Sequence, residues 1–300
     1  MISVLFEDET ILVLDKPPGL IVEPAETTQK ETLADILQKD FRIGLSRGGI
    51  VHRLDKDTSG VLIAAKTQEA LENLQTQFKE RKTKKEYMAL VHGLVLENGV
   101  VDAAIIRNPG DREKFITASP KPRTFSAGDV GEVRFQDSAD KSGEALESLK
   151  LRKPWTESPR KLIVSLQGDA LEARQAVTEY QPIQSLKMSS ELIEKIFTGF
   201  NKIQRRKLQT MNYQLYTFLA VRPKTGRTHQ IRVHLKYIGY PIVADEKYVG
   251  RKMYRLDKRW CPRQFLHARK LGFYHPKTEE WMEIESPLAE DLKKALESLT

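Results

Sequence analysis

The chain has 300 residues, 40% of them hydrophobic and 30% charged, a balance that excludes an intrinsically disordered chain and allows a sizeable core. A net charge of +8 points to a polyanionic partner, nucleic acid before an anionic membrane surface. A single cysteine, Cys261, excludes an internal disulfide and suits a reducing compartment. The first residues lack the segments of a secretory signal, and no apolar run reaches the ~18 residues of a membrane span.

Residues 2–6 and 11–14 read as strands joined by a polar turn, and Lys16-Pro17-Pro18-Gly19 then breaks the chain. A short helix is predicted over 32–41, with Leu33, Ile36 and Leu37 on one face. The stretch 50–67, IVHRLDKDTSGVLIAAKT, is the most unusual of the chain. Its apolar runs, 49–51 and 61–65, read as buried strands. Between them lie His52, Arg53, Asp55, Lys56, Asp57, Thr58 and Ser59, closed by Gly60. So many ionisable groups between core strands are costly unless they pair or do chemistry. Pattern alone leaves both a charged hairpin loop and an active site open. Thr67 caps a predicted helix running to about Arg81, with Ala70, Leu71, Leu74 and Phe78 as its apolar stripe. The basic run Lys79, Arg81, Lys82, Lys84 and Lys85 leads into a strand at 86–93, where Tyr87, Ala89 and Val91 share a face.

Residues 120–172 carry mixed charge and no catalytic spacing. A strand follows at 174–183, then an amphipathic helix at 190–208, weakened by Gly199 and ending in Arg205, Arg206 and Lys207. Those three residues are expected to contact nucleic-acid phosphates. Replacing all three by alanine should flatten the salt dependence of nucleic-acid binding by up to about three counterions; an unchanged slope would make them a mere helix terminus. After a strand at 213–221, a helix is predicted at 228–237. Ile231, Leu235 and Ile238 face the core, and Thr228, Arg232 and Lys236 lie on another face. Its start, with Lys224 and Arg227, suits a phosphate. Basic residues interleaved with Tyr248, Tyr254 and Trp260 suit backbone phosphates and unstacked bases. Strands at 265–273 and 281–284 and a helix at 288–299 complete the chain.

Several chemistries fail on spacing. His229 and His234 are five residues apart, so they do not share a helix face as a zinc pair would. There is no GxxxxGK[ST] or GxGxxG, and Ser59-Gly60 beside His52 is not a GxSxG elbow. Asp55 and Asp57 sit in one turn, where they need not flank a common bond. What remains is a carboxylate among arginines, able to act as nucleophile or base without a metal. A metal-dependent nuclease using Asp55, Asp57 and Asp245 is the rival.

HRLDKDTSG, residues 52–60, resembles the signature of the RluA-type RNA pseudouridine synthases. DKPPGLIV (15–22), KKEYMALVHG (84–93), TGRTHQIRVHL (225–235), PIVADEKY (241–248) and RQFLHARKLGFYHP (263–276) are also similar to family segments, in order. The resemblance implies an α+β catalytic fold with a mixed, largely antiparallel sheet. It implies isomerisation of uridine to pseudouridine in ribosomal or transfer RNA, without cofactor or metal. By matching positions, Asp55 is the catalytic aspartate and Tyr87 the aromatic beside the target base. Arg232 is the arginine that pairs with Asp55, and Arg53 helps to extrude the nucleotide. Lys84, Lys85, Arg227 and His229 are expected to contact RNA. Asp55 would attack the sugar or remove a sugar proton, and the sequence does not choose. The target base must leave any stack to be detached and turned. A catalytically inactive RNA-binding protein of the same fold is the alternative. The chain is expected to be one catalytic domain with additions at about 121–172 and 186–212, no separate N-terminal RNA-binding domain, no obligate protein partner, and a cytoplasmic location.

Overall fold

The computed structural model describes residues 2–23, 31–118, 173–200 and 214–299. The expected addition at 121–172, and Arg205, Arg206 and Lys207, lie outside them.

The core is one sheet of strands β1 (Ser3–Glu7), β2 (Ile11–Lys16), β3 (Ser59–Ala65), β4 (Lys84–His92), β5 (Gly99–Asp102), β8 (Val177–Lys187), β9 (Leu215–Pro223), β10 (Leu266–Tyr274) and β11 (Trp281–Glu285). Strands β6 (Ile105–Arg107) and β7 (Phe115–Thr117) form a separate hairpin. The order across the sheet is β1-β2-β3-β10-β4-β9-β8-β5, with β11 beside the far half of β10. Every pairing in this path is antiparallel except β3 with β10. The sheet is therefore mixed and largely antiparallel, and the fold is α+β, as the resemblance implied.

Alternation sorts the side chains of β2 and β3. Leu12, Leu14, Leu62 and Ala64 meet Leu33 and Leu37 of helix α1 (Leu33–Lys39) on one face. Ile11, Val13, Val61 and Ile63 meet Ala70, Leu71 and Leu74 of α2 (Gln68–Lys79) on the other. Burying each of these larger side chains stabilises the fold by about 1.5–3 kcal/mol. Thr67 accepts the Ala70 N–H as N-cap of α2, and Thr32 with Asp35 forms a capping box on α1. Helices α3 (Ser190–Phe197), α4 (Gln230–Tyr237), α5 (Arg251–Asp257) and α6 (Glu290–Glu297) complete the described set. All four contribute to the largest core cluster, around β4 and β9.

Several expected boundaries move. Residues 49–51 are not a strand. Ser46–Gly49 is a 3-10 turn and only Ile50 bridges to Ala64. Gly49, at φ 72°, crosses so close to β3 that a Cβ would land on the Ala65 carbonyl oxygen. α1 stops at Lys39 and α2 at Lys79, ahead of Arg81 at φ 61°. β8 continues to Lys187, so the start of the expected 186–212 addition is still strand. α3 ends at Phe197, and Gly199 follows at φ 84°, so the predicted helix is interrupted there. α4 begins at Gln230 rather than Thr228, and α5 had no sequence counterpart.

Gly60 sits where β3 meets β10. Its φ is 112°, and a Cβ would land on the Ala268 carbonyl oxygen across the one parallel pairing of the path. Gly60→Ala is expected to cost about 1–3 kcal/mol from backbone conformation alone, with the clash added. Denaturant unfolding at wild-type stability would show that this close approach is not required.

Candidate active site

Residues 52–58 leave the 3-10 turn, pass over the end of β3 and re-enter it at Ser59. Three successive carbonyls of this segment are held. Asp55 O accepts the Thr58 N–H at 3.0 Å. Lys56 O accepts the Gly19 N–H and the Lys16 Nζ, both at 2.9 Å. Asp57 O accepts from Arg263 Nη1 at 2.9 Å. Lys16 is fully buried, and its ammonium also donates to Pro17 O and Leu20 O. Burial pushes its pKa down to about 8, against the pull of Asp57 and Asp55. Arg263 also binds the Ser59 hydroxyl and both carboxylate oxygens of Asp291 in α6. The loop is thus clamped from the N-terminal hairpin and from the C-terminal helix, which fixes Asp55 before any substrate arrives.

Asp55, half-buried, accepts a hydrogen bond from Arg232 Nη1 at 2.8 Å. The two-point grip of that guanidinium goes elsewhere: Nε and Nη2 donate to Asp245 Oδ2 and Oδ1 at 2.7 and 2.8 Å. Asp245 is fully buried, and it also accepts the backbone N–H groups of Lys247 and Tyr248. Burial works against the charge on Arg232. The bonds and charge of Asp245, then of Asp55, more than offset it, and its pKa is raised. The resemblance paired Arg232 with Asp55; the structure has that bond and adds a two-point grip on Asp245. Both oxygens of Asp245 are thereby engaged, and a guanidinium stands between it and Asp55. Among the described residues no three acidic, histidine or cysteine side chains gather around a possible metal position.

α4 carries Arg232 and is buried on nearly every side, which its mixed sequence does not suggest. Gln230 explains its seating. Its carbonyl accepts from Thr225 Oγ1 and Arg227 N, and its amide donates to Val177 O and Thr178 Oγ1. His234 bonds Thr178 Oγ1 and Ala103 O, so it is a packing histidine. His229 precedes the helix in the left-handed region, at φ 56°.

Two clefts meet at Asp55. One, of about 630 Å³, is lined by Arg53, Asp55, Lys85, Tyr87, Arg227 and Arg232 among others. The other, of about 460 Å³, shares Arg53, Asp55, His229 and Arg232 and adds Lys56, Lys247 and Tyr254. Tyr87 projects from β4. Burial, and then the Asp55 charge, raise its pKa, so it stays a neutral phenol. Lys85 is held down to about 8 by burial and by Arg81. Arg53 is exposed at the junction, and Arg227 donates to Gln175 O at the rim. Lys84 lies on the opposite face of β4, over the Trp281 ring at 5.1 Å, and lines neither cleft.

His52 is not a free base. Its Nε2 accepts the Ile63 N–H at 3.1 Å, and its ring stacks on Phe78 at 4.7 Å. Burial, with Lys85 nearby, lowers its pKa to about 3. Unfolded histidine binds its proton near ~6.5, so between these values the unfolded chain carries more protons. Stability therefore rises with pH across about 3 to 6.5 and is lost on acidification. His52→Gln, which keeps an acceptor but cannot titrate, should unfold at lower pH and show a flatter acid limb. An unchanged pH dependence of denaturant stability would assign that limb to other groups.

A positively lined trench with a partly exposed carboxylate at the junction of its two clefts, anchored by a buried ion chain, suits an enzyme acting on a polyanion. The sequence model of the RNA pseudouridylate synthase family matches residues 10–237. The chain is 30% identical to "Uncharacterized RNA pseudouridine synthase YlyB" of Bacillus subtilis, over 99% of this chain and 73% of that protein. It is 32% identical to "Ribosomal large subunit pseudouridine synthase D" of Pseudomonas aeruginosa, over 97% of this chain and 69% of that one. The solved structure of "Human RNA Pseudouridylate Synthase Domain Containing 4" has a similar fold, with a TM-score of 0.60 and 22% identity, covering 99% of this chain and 92% of that chain. The chain belongs to the RNA pseudouridylate synthase family, of the RluA type, and its reaction is the isomerisation of uridine in RNA. No helix among the described residues is long and apolar enough to cross a membrane.

Sequence reasoning missed Asp245 as the main partner of Arg232, and Lys16 and Arg263 as clamps of the Asp55 loop. All three lie in blocks that carried the resemblance, so the available signal was the block, not the spacing.

Proposed function

We propose that Asp55 carries the isomerisation, with Tyr87 and Arg232 in direct support, and that the substrate is large-subunit ribosomal RNA. The observation that carries the reading is the position of Asp55. It is the carboxylate at the junction of both clefts, held at 2.8 Å by an arginine that is itself anchored. Such a group reaches a flipped nucleotide from a fixed geometry, either attacking C1′ or taking a sugar proton. The C1′–N1 bond breaks as C1′ bonds to Asp55 or the sugar proton leaves, uracil turns, and C5 joins C1′ as the ester breaks or the sugar proton returns; C5 then gives up its hydrogen and N1 gains one. Tyr87 offers a ring face to the base and a neutral hydroxyl for a hydrogen bond. Arg232 orients Asp55 and balances its charge. Arg53, Lys85, Arg227 and His229 line the trench where a phosphate backbone would run. Lys84 is left out of this set because it faces Trp281.

The ribosomal target rests on relatives named for the large ribosomal subunit, and transfer RNA is the second reading. We read the chain as one catalytic domain acting in the cytoplasm. Pseudouridine mapping of total RNA with and without the gene tests the target. Loss of a site in large-subunit RNA supports the proposal, and loss confined to transfer RNA overturns it. Tritium release from bulk uridine-labelled RNA separates an active enzyme from an inactive RNA-binding protein.

A further inference from the structure

Tyr248 is 3% exposed and lines neither cleft, yet it touches Arg232, Asp245 and His229 beside Asp55. Its ring lies under the Arg232 guanidinium, 5.1 Å from centroid to Cζ. Its backbone N–H donates to Asp245 Oδ1, the other partner of that guanidinium. Its hydroxyl accepts the Phe115 N–H at 2.9 Å and lies 2.9 Å from His229 Nδ1. Phe115 belongs to β7 of the separate hairpin, and its ring meets His229 edge-on at 5.5 Å. Lys247, the preceding residue, pairs with Glu113 in the turn of the same hairpin. One side chain therefore joins the hairpin, the start of α4 and the arginine that holds Asp55.

The proton positions follow from this geometry. Burial lowers the pKa of His229 to about 4, against the pull of Asp55, so the imidazole is neutral. Burial raises that of Tyr248, so the phenol keeps its proton. With an N–H already directed at its oxygen, the hydroxyl can give that proton to His229 Nδ1, an arrangement that puts the ring proton of His229 on Nε2.

We propose that Tyr248 is a positioning residue for the isomerisation. Its ring supports Arg232 beside Asp55, and its hydroxyl locks His229, in one tautomer, and the β6–β7 hairpin onto the start of α4. The inference rests on the reading of Asp55 and Arg232 given above. A cation over an aromatic face in a dry setting contributes stabilisation without competing for the donors that Arg232 gives to its carboxylates. The hydroxyl holds His229 wholly in the Nε2-protonated form, which an unsupported histidine would share with the Nδ1-protonated one.

Tyr248→Phe keeps the ring and removes only the hydroxyl; Tyr248→Leu removes both. Under single-turnover conditions the phenylalanine variant is expected to lose about tenfold in rate, and the leucine variant about a hundredfold. RNA affinity should stay within about twofold of wild type in both. A residue with a merely structural role would lower the melting temperature and leave the rate of the folded protein unchanged. Nitrogen-15 spectra of histidine-labelled protein should show His229 protonated on Nε2 in the wild type and a mixture of tautomers in Tyr248→Phe. Wild-type rates in a folded Tyr248→Phe protein, or His229 protonated on Nδ1 in the wild type, would overturn the hydroxyl's role. Equal rates for the phenylalanine and leucine variants would overturn the role of the ring; if the leucine variant does not fold, the phenylalanine variant decides. Asp55→Asn is measured alongside. If it is active, the reading of the site fails. If it is inactive while Tyr248→Phe matches wild type, only the present inference fails.

Discussion

Asp55→Asn is expected to bind RNA about as tightly as the wild type and to form no pseudouridine, even with enzyme in excess in a single turnover. Asparagine has the size and shape of aspartate but neither its charge nor its nucleophilicity. The surroundings should hold. Arg232 keeps both bonds to Asp245, and the amide oxygen at position 55 can still accept from Nη1. The loop carbonyls are held by Thr58, Gly19, Lys16 and Arg263, which the change does not touch. Affinity for RNA is expected to come mainly from phosphate contacts, which the change leaves untouched. Binding and chemistry should therefore separate cleanly. A rate within about tenfold of wild type, a barrier change of only ~1.4 kcal/mol, would remove Asp55 from the mechanism.

Arg232→Lys should be nearly as damaging, and it should also unsettle the fold. Arg232 divides its donors, with two to Asp245 and one to Asp55. An ammonium on a flexible stem cannot serve both carboxylates in that geometry. Asp245, fully buried, would lose its two-point partner. Breaking such a pair costs roughly 3–5 kcal/mol because a buried charge is left uncompensated. Asp245→Asn should show the same pairing of effects from the other side, since Arg232 would keep only Asp55. Denaturant unfolding and single-turnover rates on the same preparations test this. The double variant Asp55→Asn, Arg232→Lys should be little slower than Asp55→Asn alone, because the two residues act as one unit. A stable Arg232→Lys protein with a near-wild-type rate would show that the ion chain positions nothing.

The outcome for His52 shows how far a motif carries. It opens the signature block beside Arg53 and Asp55, where a histidine invites a role in proton transfer. Its Nε2 instead serves the Ile63 N–H of β3, and its ring stacks on Phe78 of α2. Lys84 and Lys85 diverge for an equally local reason. Adjacent strand residues point to opposite faces, so only Lys85 shares the cleft face with Tyr87.

Features legible without the fold are local or carried by the blocks. The cap at Thr67 and the stripe Ala70, Leu71 and Leu74 set the start and the buried face of α2. The run 61–65 specified a strand buried on both faces. The block 52–60 marked Asp55 as the centre of interest, and the later blocks supplied the α+β class and the reaction. Tertiary structure alone decided which groups share a bond. Periodicity tells which face a residue takes, but a guanidinium with five donors is indifferent to chain distance. Only the seating of α4 against β8 and β9, through Gln230 and His234, brings Arg232 within reach of Asp245, 13 residues on, and of Asp55, 177 residues back. The same seating buries Arg232, while Lys236, one turn on, stays exposed. Arg232 is tolerated there because two carboxylates and the ring of Tyr248 replace the water it gives up.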